Sequence, residues 1–101
     1  MKLKVYNMKS DKGNTVPNQF YIESDGNKIF QSYSTVCAIK TPGFDNKIYI
    51  DPYMTDPSRT TAKYFDDFLV YYCGWDSNCY RGKNGIYQGI KDGFYIVKNL
   101  N

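Results

Sequence analysis

The sequence predicts an α+β fold: an antiparallel sheet of about five to six strands with one main α-helix packed on it. Three observations carry that expectation. Short apolar runs alternate with polar residues through the first half and are broken by Gly, Asn and Asp. Asp25-Gly26 sits between two such runs, the strongest short-range signal of a hairpin. At TDPSRTTAKYFDDFL, Thr55 to Leu69, the apolar spacing then lengthens from a strand period to a helical one.

The elements follow in order. KLKVYNM (Lys2 to Met8) puts Leu3 and Val5 on one face and reads as a first strand, and SDKGNTVPN after it is a polar loop. QFYIES (Gln19 to Ser24) and KIFQSY (Lys28 to Tyr33) are the two arms of the Asp-Gly hairpin. STVCAIKT (Ser34 to Thr41) is a further strand ended by Pro42-Gly43, and FDNKIYID (Phe44 to Asp51) turns and returns through Ile48 and Ile50. The economical arrangement is a meander.

Asp51-Pro52 and Asp56-Pro57 then break the sheet pattern, because proline cannot donate to a central ladder. From Thr61 onward Tyr64, Phe65, Phe68, Leu69 and Tyr72 fall on one face of a helix, with Lys63, Asp66, Asp67 and Val70 on the other. Thr60 or Thr61 is the expected N-cap, and Gly74 the residue that turns the chain out. In the tail, Asn84-Gly85 and Asp92-Gly93 are turn signals and FYIV (Phe94 to Val97) is the clearest late strand, with IYQGI (Ile86 to Ile90) its expected hairpin partner. A single domain over 1–101 is expected, with its core at 18–73 and a turn-rich hairpin segment at 74–101.

Composition narrows the chemistry. Aromatic residues make up 18% of the chain, with 11 Tyr, which suits half-buried strands and also an adaptable binding surface. The net charge of +3 excludes an acidic mimic of DNA, but the lysines are scattered, unlike those of a dedicated duplex binder. There is no histidine, so Ser-His-Asp and Cys-His machinery is excluded, and Glu23 is the sole glutamate. Asp66 and Asp67 diverge by about 100° on a helix and do not converge on a metal without help from Asp51 or Asp56. Cys37, Cys73 and Cys79 match no zinc spacing. The expectation is a non-enzymatic protein without metal or cofactor. With no leader-like or membrane-spanning run and an odd number of thiols, it is expected in the reducing cytoplasm.

Two stretches stand out as candidate contact sites. Arg59-Thr60-Thr61-Ala62-Lys63 places two hydroxyls and two cations where a helix begins, an arrangement that either holds a phosphate or simply caps the helix. Basic residues there oppose the helix dipole, which hints at another use. The second runs from Trp75 through Tyr80-Arg81-Gly82-Lys83 to Tyr87. Cations beside aromatic rings suit a nucleic-acid backbone with stacked bases, a protein interface, or an ordinary exposed hairpin loop. Trp75 is also placed to cover the C-terminal end of the helix. The contact residues expected from these stretches are Arg59, Lys63, Trp75, Tyr80, Arg81 and Lys83.

NQFYIESDGNKIFQSYSTVCAIK, KIYID and SRTTAKYFDDFL together resemble a family of small proteins from phages, plasmids and other mobile elements of Gram-positive bacteria. The shared features are an F-Q-S-Y-x-T strand pair, a short K-x-Y-x strand and an S-x-T-T-x-K-Y helix entry, covering Asn18 to Leu69. In size and style the chain is similar to type II-A anti-CRISPR proteins. That resemblance implies stoichiometric, non-enzymatic binding of an RNA-guided effector nuclease or of its guide RNA within a bacterial host cell. The tail after Gly74 departs from the shared core and is the place to seek a specific target. The alternative is a single-stranded nucleic-acid-binding accessory protein of a mobile element, and a structural or assembly module is the third option.

Overall fold

A two-residue β-hairpin turn needs positive φ at both central residues, and Asp25 (φ 53°) and Gly26 (φ 85°) supply it. The computed structural model describes residues 3–43, 47–74 and 82–101, and in it this turn joins β2 (Thr15–Ser24) to β3 (Asn27–Ser32). β1 (Leu3–Lys9) pairs on the other side of β2, followed in chain order by β4 (Thr35–Lys40), β5 (Ile48–Ile50) and β6 (Tyr95–Val97). The six strands form one sheet in the order β1-β2-β3-β4-β5-β6. The α+β class and the strand number stand as expected.

Several boundaries move. The loop expected to reach Asn18 shortens, because β2 already begins at Thr15 and Lys9 pairs with Thr15 after a register shift. The remaining turn is closed by Ser10 N donating to Asn14 O at 2.8 Å. After β5 a short 3-10 turn, Pro52–Thr55, leads into α1 (Arg59–Asp67). The helix thus starts two residues before Thr61, and its cap is neither Thr60 nor Thr61. Ser58, extended at φ −63° and ψ 159°, accepts the Thr61 N–H on its hydroxyl at 3.1 Å. Thr61 lies inside the first turn with its side chain buried.

α1 passes without a break into a π-helical segment, Phe68–Tyr72, where Cys73 N reaches back five residues to Phe68 O at 3.0 Å. The aromatic face foreseen for this helix holds. Tyr64, Phe65, Phe68 and Leu69 are buried and Tyr72 is half-buried.

The larger correction lies in the tail. Residues 82–91, read from the sequence as a loop and a strand, form a second helix, α2 (Gly82–Lys91). Asn84-Gly85 is therefore no hairpin turn. Ile86, Gly89 and Ile90 share one helical face turned to the core. Gly89 permits the approach: a Cβ there would lie 2.4 Å from Cδ2 of Tyr95. Asp92-Gly93 does turn the chain, with Phe94 N donating to Gly89 O at 2.8 Å. Phe94 to Val97 yields β6 as expected, but it runs parallel to β5 rather than in a hairpin. Parallel neighbours require a crossover, and the helices between β5 and β6 provide it.

The helices lie on one face of the sheet. Cross-strand pairing aligns Tyr6, Tyr21, Phe30, Ala38 and Ile50 on that face. Phe30 meets Phe68 and Phe65 at ring separations of 5.8 and 6.3 Å, and Phe65 meets Tyr95 at 5.6 Å. Each such ring, fully buried, contributes roughly 1.5–3 kcal/mol. Register places Val5, Ile22, Ile29, Ile39, Tyr49 and Ile96 in one row across the opposite face. Near the C-terminus, Asp51 Oδ1 accepts from Leu100 N (3.0 Å) and Asn101 Nδ2 (2.9 Å), while Oδ2 accepts from Tyr53 N (3.0 Å). Asn101 also bonds both backbone groups of Val36, at 2.8 and 3.0 Å.

Candidate functional site

Helical spacing puts Arg59, Ala62, Lys63 and Asp66 on one side of α1. α2 begins against that side, because Gly82 N donates to Asp66 Oδ1 at 3.0 Å, and this brings Lys83 beside the others. These five residues line a shallow groove of about 470 Å³. Three of the six contact residues expected from sequence thus meet on one surface, although 20 positions separate Lys63 from Lys83. Trp75, Tyr80 and Arg81 lie outside the described residues.

The cations differ in how they are held. Lys83 Nζ is 3.2 Å from Asp56 Oδ1, and Lys63 Nζ is 3.5 Å from Asp11 Oδ2 and 5.2 Å from the centre of the Tyr64 ring. Both pairs are solvated, so each contributes about 0–1 kcal/mol and is readily exchanged for another anion. Arg59 finds no carboxylate among the described residues. A phosphate seated on the Thr60 and Thr61 hydroxyls is not what the helix start offers. The Ser58 cap takes the Thr61 N–H, and the Thr61 hydroxyl turns inward to Ser32 at 3.0 Å and to Ser58 at 3.0 Å. Tyr53 closes the same cluster, its hydroxyl 3.5 Å from Thr61 Oγ1, and hydrogen bonds from Thr61 and Ser58 lower its phenol below the usual value. Among the described residues no group of three Cys, Asp or Glu side chains could hold a metal. No helix among them is long and apolar enough to cross a membrane.

A second and larger concavity, about 1010 Å³, lies toward the other end of the same helical segment. Arg59 and Tyr72 are roughly 20 Å apart at 1.5 Å of rise per residue. Its floor is the part of β1 to β3 that α1 leaves uncovered, and its wall is the π-helical end. Tyr72 stacks on Tyr21 with centroids 4.3 Å apart, and Tyr21 in turn on Tyr6 at 6.1 Å. Burial pushes the Tyr21 phenol well above its ordinary value, and the neighbouring Glu23 carboxylate adds to this. Lys28 Nζ donates to Tyr72 O at 2.7 Å and ties the helix end to β3. Lys4, the cross-strand partner of Glu23, and Lys9 also line the concavity. Sequence reasoning missed this groove. The signal available was the Lys4-Val5-Tyr6 alternation of β1, which puts a cation and a ring on one face.

In comparison with known proteins, a model described as a family of unknown function, DUF8033, fits residues 1–83. No curated protein and no solved structure matches the chain. The match spans β1 to β5, α1 and the π-helical segment and stops at the start of α2.

Proposed function

The chain belongs to the DUF8033 family, and we propose that it is a stoichiometric inhibitor of a type II RNA-guided nuclease, carried by a phage or mobile element, that works by binding and not by chemistry. The observation that carries the reading is the meeting of Arg59, Lys63 and Lys83 on one groove between α1 and α2. Cations drawn from separate helices onto one exposed surface suit an acidic partner, either the guide RNA or an acidic patch of the nuclease that receives it. The anti-CRISPR setting comes from the resemblance of the Asn18 to Leu69 core. A chain without histidine also fits a binding role better than proton-transfer catalysis.

The test is a cleavage assay with purified protein added before or after guide RNA. Inhibition confined to the first order supports interference with guide assembly. Reversing the charge of Arg59, Lys63 and Lys83 together then abolishes inhibition while the melting temperature stays close to that of the parent. Absence of inhibition in both orders, at excess protein, ends the idea for that nuclease.

A further inference from the structure

We infer that the sheet face turned away from the helices is a self-association surface, on which a second copy of this chain packs face to face. The register row Val5, Ile22, Ile29, Ile39, Tyr49 and Ile96 crosses all six strands, and none of these residues belongs to the buried core. The rows on either side, Leu3-Ser24-Asn27 and Asn7-Phe20-Gln31, add Leu3 and Phe20 and no charge. Charged residues of the same strands stand in the alternate row instead. Lys4, Glu23, Lys28 and Lys40 are in register there, and Lys28 reaches Tyr72 O on the helix side. A sheet face left to water carries polar residues at its outward positions. This one carries apolar residues, with Leu3 63% and Val5 55% exposed, as does a face that another layer covers.

Charge and area both single out a second copy. A different protein is selected across an interface largely by complementary charge, and these rows offer none. A second copy brings the same uncharged face, so the net charge of +3 is kept out of the contact. Lys98 borders the face, its Nζ 5.7 Å from the centre of the Tyr49 ring, and its charge stays in water at the rim. Six strands about 4.8 Å apart span roughly 24 Å, and three outward positions along a strand span roughly 13 Å. With side-chain width at the margins the footprint is on the order of 500 Å² per copy, or about 1,000 Å² for a pair, the lower limit of a specific interface. That area supports a reversible dimer and not an obligate one. Two sheets of the same twist pack with their strands about 30° apart. The helices then lie on the two outer sides and leave the α1–α2 groove open on both copies, so association and nuclease inhibition can succeed or fail independently.

The experiment is sedimentation equilibrium of the full chain from low micromolar to submillimolar concentration. A reversible monomer–dimer equilibrium with a micromolar dissociation constant is expected. Added salt does not weaken it, because no ion pair holds it. Ile29→Lys, at the middle of the row, and Val5→Lys, at an exposed position where the fold loses little, each raise the dissociation constant about tenfold or more, since each buries an unpaired charge in the contact. Tyr87→Lys, on α2 and 70% exposed, leaves it unchanged. Urea midpoints of Val5→Lys and the parent, taken below the dissociation constant, should agree closely, which separates loss of the dimer from loss of the fold. A monomer throughout the range overturns the proposal, and so does a dimer that neither variant weakens. A dimer broken by Val5→Lys but not by Ile29→Lys, two strands in from the edge, would be pairing along β1 and would overturn the face as the contact. A monomer that binds neutral lipid vesicles would overturn the second copy in favour of a membrane.

Discussion

Ser32 Oγ and Thr61 Oγ1 lie 3.0 Å apart in the core, with 3% and 1% of their residues exposed. They belong to the F-Q-S-Y strand and the S-x-T-T helix entry, two separate parts of the resemblance, and the fold makes them partners. Thr61 also takes the Ser58 hydroxyl at 3.0 Å, so the residue that caps α1 and the residue that docks it on β3 are one hydrogen-bonded unit. Those motifs are therefore accounted for by architecture.

Thr61→Val keeps the shape and removes the hydroxyl, leaving Ser32 without this partner in a buried place. A loss of roughly 1–3 kcal/mol is expected in urea unfolding. Ser32→Ala on the same background costs little more, and a double-mutant cycle reads the coupling directly. Additive losses would show that the two hydroxyls do not interact.

Gly89→Ala tests α2. The added methyl would meet the Tyr95 ring at 2.4 Å, so the helix or the ring must shift, at roughly 1–3 kcal/mol. Asn84→Ala, on the exposed side of α2, serves as the comparison and is expected to cost far less. Similar urea midpoints for the two variants would contradict the packing of α2 on β6.

Asp51 sets an acid limit on stability. Burial works to raise its carboxyl, but hydrogen bonds from Leu100 N, Tyr53 N and the Asn101 amide outweigh this and hold it below the usual carboxylate value. A folded-state value below the unfolded one means stability that is present above about pH 4, the ordinary Asp value, and is lost as pH falls through the folded value. Asp51→Asn is therefore expected to lower the urea midpoint at pH 7, and the gap to the parent should narrow toward pH 2 to 3. A gap independent of pH would rule the carboxylate out as the cause.

Burial pushes the Cys37 thiol up to about 11 and the Cys73 thiol up to about 12. Both are held as neutral thiols near neutral pH and should react slowly with a disulfide reagent in the folded protein. A Cys79→Ser variant isolates them. Its labelling should be slow natively and fast in guanidinium, and rapid native labelling of both thiols would be inconsistent with this burial.

Part of the lining of the α1–α2 groove was legible in the sequence, for a physical reason. Arg59 and Lys63 are one helical turn apart, so local spacing sufficed to pair them. Lys83 joins them only because α2 docks on Asp66, a contact that periodicity cannot report. The groove is harder still. Tyr6, Tyr21 and Tyr72 come from three elements, and each alone reads as an ordinary amphipathic position.

By itself, the sequence determined what depends on neighbours along the chain. Asp25-Gly26 sets its own turn and the Tyr64 to Tyr72 stripe carries its helical period, whereas β1 leaves its apolar Leu3 and Val5 exposed on the face away from the helices. Tertiary structure decided residues 82–91. Glycine at 82, 85 and 89 weakens the intrinsic preference for a helix, and burial of Ile86 with the close approach of Gly89 to Tyr95 overrides it. It also decided the parallel pairing of β6, because that direction follows from a crossover and not from any residue of the strand itself. The groove between β1 and the π-helical end belongs to the same class of feature, since its rings become neighbours only when the π-helical end settles over β2.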